Sequence, residues 1–274
     1  MKSKTLRSRG LRVGAVAGLA LTALAGGAAT AAPINFKITV ENLSPDGGTL
    51  ITPLWFGVHD GSFDLYDSGV AASAELERLA EDGNPGPLSA AFASTTGGLI
   101  DGVVFGPGVG PGSPPIFGPG GSASATFSYD FGTSPTAFFS YASMVIPSND
   151  AFIANGNPLA LPLFDAVGGF QGLDIIVLGS QVLDAGTEVN DEIPENVAAL
   201  AQAAPDTGVT ENGVVGLHPG FLTDGNILAA IPNGDFTQAG YQVARIRVEQ
   251  IPVPGPWWLF GAGLTALGVR RLTA

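Results

Sequence analysis

The sequence contains no cysteine. That excludes disulfides, thiolate catalysis, cysteine-type zinc sites and iron–sulfur clusters. A domain of this length manages without disulfides because its core is large enough. Basic residues are scarce as well: 11 against 24 acidic ones, and histidine occurs only twice. Five of the 11 fall within Met1–Arg12 and two are Arg270 and Arg271, which leaves Lys37, Arg78, Arg245 and Arg247 among residues 33–250. Those residues hold all 24 acids, so their formal charge is −20, stronger than the −13 of the whole chain. So acidic a surface argues against nucleic acid or anionic lipid as partner. It fits solubility outside a cell and the binding of divalent cations.

Long apolar runs are confined to the two ends. Residues 1–31 read as a secretory signal peptide: a basic start, an apolar stretch from Val13 to Ala29, and the small-x-small site Ala29-Thr30-Ala31, cut after Ala31 or Ala32. An N-terminal membrane anchor is the alternative. At the other end, Ile251-Pro252-Val253-Pro254-Gly255 is a stiff spacer, and Pro256 to Val269 carries no charge. As a helix those 14 residues would reach roughly 21 Å, short of a hydrocarbon core of about 30 Å. Arg270 and Arg271 would stay cytoplasmic and leave the domain outside.

Residues 33–250 suit one β-rich domain, or at most two small ones. The 40 glycines and 21 prolines imply many loops. Ile34 to Glu41 alternates apolar and polar positions, the pattern of a half-buried strand. Further strands are expected over Leu50–Val58 (bent at Pro53), Ser122–Phe131, Ala137–Ile146, Leu173–Leu178, Val214–Leu217 and Tyr241–Gln250. Ala71 to Asp82 is the best helix, with Leu76 and Leu79 inward and Gly83 as its stop. Short helices are also expected over Pro87–Ala93 and Glu195–Ala203, and Gly106–Gly121 is a loop. Strands separated by turn signals predict a mainly β fold, an antiparallel β-sandwich with one or two short helices, flanked by the signal and by a C-terminal hydrophobic helix.

Two resemblances sharpen this. The tail, Ile-Pro-Val-Pro-Gly followed by Trp258-Leu259-Phe260-Gly261-Ala262-Gly263-Leu264 and the two arginines, resembles the PEP-CTERM sorting signals. The variant beginning Val-Pro-Leu-Pro-Ala is the nearest in form. That resemblance implies that residues 251–274 are read by an exosortase in a Gram-negative bacterium. In the middle, Phe36 to Leu43, Leu54 to His59, Ser143 to Ile153, Asp184 to Glu192 and Val243 to Val248 together resemble the spondin domain. Asn149 and Ala151 depart from the animal pattern. The resemblance implies a C2-like sandwich, a bound calcium near the loops, and adhesion or matrix binding rather than catalysis.

Calcium requires six to eight oxygen ligands. Asp150, past a Pro-Ser turn, and Asp184, opening Asp184-Ala185-Gly186-Thr187-Glu188, match the family's acidic positions. Glu188 and Asn190 complete the expected metal set, and Asp130 is a weaker addition. The competing reading has Asp150 and Asp184 capping turns by accepting backbone N–H groups. Asp60, Asp64 and Asp67 read as a solvated acidic loop, without the glycine and terminal glutamate of a calcium loop. His59 or His218 could serve a secreted hydrolase with a serine and an aspartate, but no Gly-x-Ser-x-Gly elbow or His-Glu-x-x-His motif occurs. Extracellular polysaccharide and surface proteins are the expected partners. A purely structural part of a biofilm matrix is the remaining alternative.

Overall fold

In a computed structural model the described residues are 33–132 and 136–252. The leader 1–31 and the apolar run 256–269 lie outside them. The described residues form β1 (Ile34–Asn42), β2 (Leu50–Ile51), β3 (Leu54–His59), α1 (Ala74–Asp82), α2 (Gly86–Ala93), β4 (Gly98–Val104), β5 (Ser122–Tyr129), β6 (Phe138–Ile146), β7 (Ala151–Ala154), β8 (Leu173–Leu178), β9 (Leu183–Asp184), β10 (Gly216–Leu217), α3 (Asn226–Ala230) and β11 (Gln242–Gln250). The fold is mainly β, with two antiparallel sheets and few helices.

The smaller sheet runs β5-β1-β11-β8 and the larger β10-β9-β7-β6-β3-β4, with β2 paired to β6. The period-two pattern of β1 sets the register. Ile38 stands opposite Val248 on one side and Ala125 on the other. Phe36, Ile38 and Val40 then share one core with Leu54, Phe56 and Val58 of β3, so the two sheets stack on their apolar faces. Their intervening positions, Lys37, Thr39 and Glu41, face the other way.

β3 is buried on both sides because the helices cover its second face. Trp55 packs against Phe92 of α2 with ring centroids 5.6 Å apart and against Phe63 at 5.8 Å. Its indole N–H is met by Ser89 Oγ at 3.1 Å and Asp101 Oδ2 at 3.2 Å. Leu76 and Leu79 of α1 join that cluster. α1 starts three residues later than its apolar spacing alone suggests, because Ser73 caps it: Leu76 N–H donates to Ser73 Oγ at 3.3 Å. It stops at Gly83, whose φ of 63° lets Gly83 and Asn84 donate back to Leu79 and Arg78.

The structure corrects one expectation and adds two elements. No helix forms over 195–203. Ala198 instead pairs with Ser148 across the loop, and Ala199 takes φ 68°, so the segment folds as turns. β4 lies where no strand is expected. Its Asp101 and Gly102 break the apolar pattern, yet Asp101 serves Trp55, and Gly102 lets Phe127 and Phe56 approach where a Cβ would come within 2.8 Å and 2.9 Å of them. Five residues from Asn226 form α3, where the sequence reading places no element. Among the described residues no helix is long and apolar enough to cross a membrane.

Candidate metal centre

One end of the larger sheet gathers the β6–β7 turn, the segment after β9 and the turn after β10. The β6–β7 turn is pinned by Ser148. Its hydroxyl donates to Val145 O at 2.5 Å and accepts from Ala151 N at 3.0 Å. This places Asp150 fully inside the protein. Pairing of β7 with β9 sets Ala151 opposite Asp184 and brings the two segments together.

Asp150 Oδ2 accepts three hydrogen bonds: Thr187 N at 2.9 Å, Thr187 Oγ1 at 3.2 Å and Glu188 N at 3.2 Å. Its other oxygen, Oδ1, is buried with no partner. Burial, and then the charge of Asp184, push the Asp150 carboxyl up to about 7, against the pull of those hydrogen bonds. A buried carboxylate oxygen without a donor is costly unless a proton or a cation reaches it.

Asp184 Oδ1 accepts from Gly186 N at 2.7 Å, and Oδ2 accepts from Asn190 Nδ2 at 2.6 Å. Asn190 Oδ1 in turn lies 3.2 Å from His218 Nε2. The Gly220 N–H donates to His218 Nδ1 at 3.0 Å, so the ring hydrogen is assigned to Nε2 and given to Asn190. Burial pushes His218 down to about 4. Asn190 is therefore engaged within the protein at both ends of its amide. Gly186, at φ 67°, closes the turn against Val214, whose N would lie 2.5 Å from a Cβ.

Glu188 donates its N–H to Asp150, while its side chain accepts from Asn149 Nδ2 at 3.0 Å through Oε1. Its Oε2 is buried without a partner. Burial is the main reason its pKa rises to about 8. The four residues expected from the sequence thus form two hydrogen-bonded pairs on adjoining segments, Asp150 with the Glu188 N–H and Asp184 with Asn190, and Asp150 Oδ1 and Glu188 Oε2 are left without partners. The turn-capping bonds expected as the competing reading are present too, at Asp150 Oδ2 and Asp184 Oδ1. Asp130 stands apart and caps its own turn, accepting from Gly132 N at 2.9 Å. Asp60, Asp64 and Asp67 are exposed.

Two groups of acids escape the sequence reading. Glu192 is buried and accepts from Leu222 N at 2.6 Å and Ile227 N at 3.2 Å, fastening α3 to the loop end. Glu77, Glu81 and Asp206 bring ligand-type oxygens within 4.8 Å of one another. The i,i+4 spacing of Glu77 and Glu81 on α1 was the signal available, and Asp206 is too distant in sequence to join them by inspection.

The other histidine forms a different pair. His59 Nε2 lies 3.0 Å from Ser140 Oγ, both residues being buried. The Gly61 N–H donates to His59 Nδ1 at 3.1 Å, which assigns the hydrogen to Nε2. A general base for Ser140 needs the opposite tautomer, with Nε2 free to accept.

No family model matches this sequence, and no curated protein is similar to it.

Proposed function

We propose that this chain is an exported, non-catalytic surface or matrix protein of a Gram-negative bacterium. In this reading a spondin-like, C2-like β-sandwich follows a cleaved leader at 1–31. A sorting tail at 251–274 is processed by an exosortase-type enzyme after contact with the inner membrane. The domain adheres to extracellular polysaccharide or to surface proteins, and calcium organises its loop end.

The observation that carries the calcium assignment is Asp150. One of its oxygens takes three donors and the other takes none, at a fully buried site beside a second carboxylate. The donor set is hard oxygen, which suits calcium. Asp150 and Asp184 would hold the ion, with Asn190 and Gly186 orienting Asp184. Bound there, calcium supplies the positive charge that the network lacks: Lys37, Arg78 and Arg245, the described basic side chains in ion pairs, pair elsewhere. The tautomers of His59 and His218 favour structural roles over base catalysis and support the non-catalytic reading.

A glycan array probed with the purified chain, in calcium and in chelator, tests the binding reading. Reproducible glycan hits that weaken in chelator and in Asp150→Ala/Asp184→Ala support it. An array without hits, together with no retention on the polysaccharide of the producing cell, would favour a purely structural matrix component.

A further inference from the structure

The acids of α1 meet the 187–210 loop at a pocket distinct from the Asp150–Asp184 pair. It is a cavity of about 70 Å³ walled by Glu77, Glu81, Glu188 and Asp206, with Thr187, Thr207, Gly208 and Thr210 completing the lining. That is room for one cation and a water or two. A neighbouring groove of about 160 Å³ shares Glu77, Thr187 and Thr210 with it, an approach from solvent.

Acidic clusters are common on so acidic a domain, and this one needs more than its charge. Glu188 provides it. The residue is 2% exposed and lines the pocket, and its Oε2 has no hydrogen-bond partner. Gly208 closes on the same carboxylate: at φ 118°, a Cβ there would lie 1.8 Å from Glu188 Oε1. The backbone has been brought down onto an ionisable group rather than leaving it to water. Glu81 is also buried, and burial is the main cause of its raised pKa, with the charges of Glu77 and Asp206 adding to it. The one guanidinium at the cluster, Arg78, is divided among Asp82, Asp206 at 3.2 Å and Glu81 at 4.0 Å. It leaves Glu77 and Glu188 without a counter-charge among the described residues.

We propose that Glu77, Glu81, Asp206 and Glu188 form a second divalent-cation site, a calcium clasp that ties α1 to the 187–210 loop. The site goes beyond the Asp150 assignment and does not depend on it. Thr187, within reach of both Asp150 and Glu81, stands between the two.

Calorimetric titration of the full, cation-stripped chain with calcium tests this, using wild type, Glu77→Gln/Glu81→Gln and Asp150→Asn/Asp184→Asn. Circular dichroism checks that each variant folds. The expected result is two calcium ions in wild type and one in each variant. The clasp is overturned if Glu77→Gln/Glu81→Gln binds as many ions as wild type, if wild type binds none, or if both folded variants lose all binding, which would mean a single shared centre. If the Asp150 assignment alone fails, wild type binds one ion, retained by Asp150→Asn/Asp184→Asn and lost by Glu77→Gln/Glu81→Gln.

Discussion

Gly186 and Asp150 show how single residues set the loop end. Gly186 holds φ 67° with Val214 N directly behind it. Gly186→Ala is expected to cost more than about 1 kcal/mol, through left-handed strain and the contact together. Chemical denaturation measures it, and an unchanged midpoint would show that the turn adapts freely. Asp150 was legible in the sequence as a loop carboxylate after a Pro-Ser turn. Its three donors were not, because they come from Thr187 and Glu188, 37 and 38 residues away. The same distance hid the roles of Asn149 and Glu192. Local spacing reveals which residues can cap a turn, but not which distant backbone amides will meet them.

At the scale of elements, β1, β11 and α1 follow from their patterns. Period two buries Phe36, Ile38 and Val40, and capping residues bound α1. Of the short pieces that pair across the loop end, β7 and β9 carry too few residues to show a period, and β10 keeps only the last two residues of the strand expected over Val214–Leu217. β4 is disguised by Asp101 and Gly102, whose reason lies in the neighbouring Trp55 and Phe127. Phe56 is fully buried between the sheets, stacked 13° from parallel with Phe139 and edge-on to Phe127 at 4.6 Å. Phe56→Ala is expected to lose about 3–5 kcal/mol. Thr126→Ala, on the exposed face of β5, should stay within about 0.5 kcal/mol of wild type. Equal losses in the two variants, measured by urea unfolding, would contradict the placement of the shared core.

For the whole molecule, the buried acids and histidines set a pH profile. Asp150 and Glu188 titrate at about 7 and about 8 when folded, above the values of roughly 4 in an unfolded chain. Their contribution to stability is fully present below pH ~4 and is lost as the pH rises through 7 and 8. His59 and His218 are lowered by burial. Their contribution is present above pH ~6.5 and is lost as the pH falls, for His218 through about 4. Between pH ~4 and ~6.5 the two trends oppose each other, and above that only the carboxyls still titrate, so in chelator the thermal midpoint should fall from pH ~6.5 to ~8. Calcium should lift the alkaline limb most, because it replaces the protons that Asp150 and Glu188 lose. A midpoint in chelator that climbs steadily to pH ~9 would contradict this assignment.

The role proposed for the tail belongs to this scale too. Removing residues 251–274 is expected to shift tagged protein from the membrane and surface fractions to the soluble exported fraction. Identical partitioning of the two forms would contradict a sorting role.

The most direct test is the thermal midpoint of the purified chain at pH 7.5 as calcium is added to the chelated protein, for wild type and for Asp150→Ala/Asp184→Ala. At a hundredfold excess over Kd, one site stabilises the fold by about 2.7 kcal/mol. For a domain of this size that is a rise of about 5–10 °C. The account predicts such a rise in wild type and a clearly smaller one in the variant. No rise in wild type, or the same rise in both, would contradict a calcium ion at Asp150.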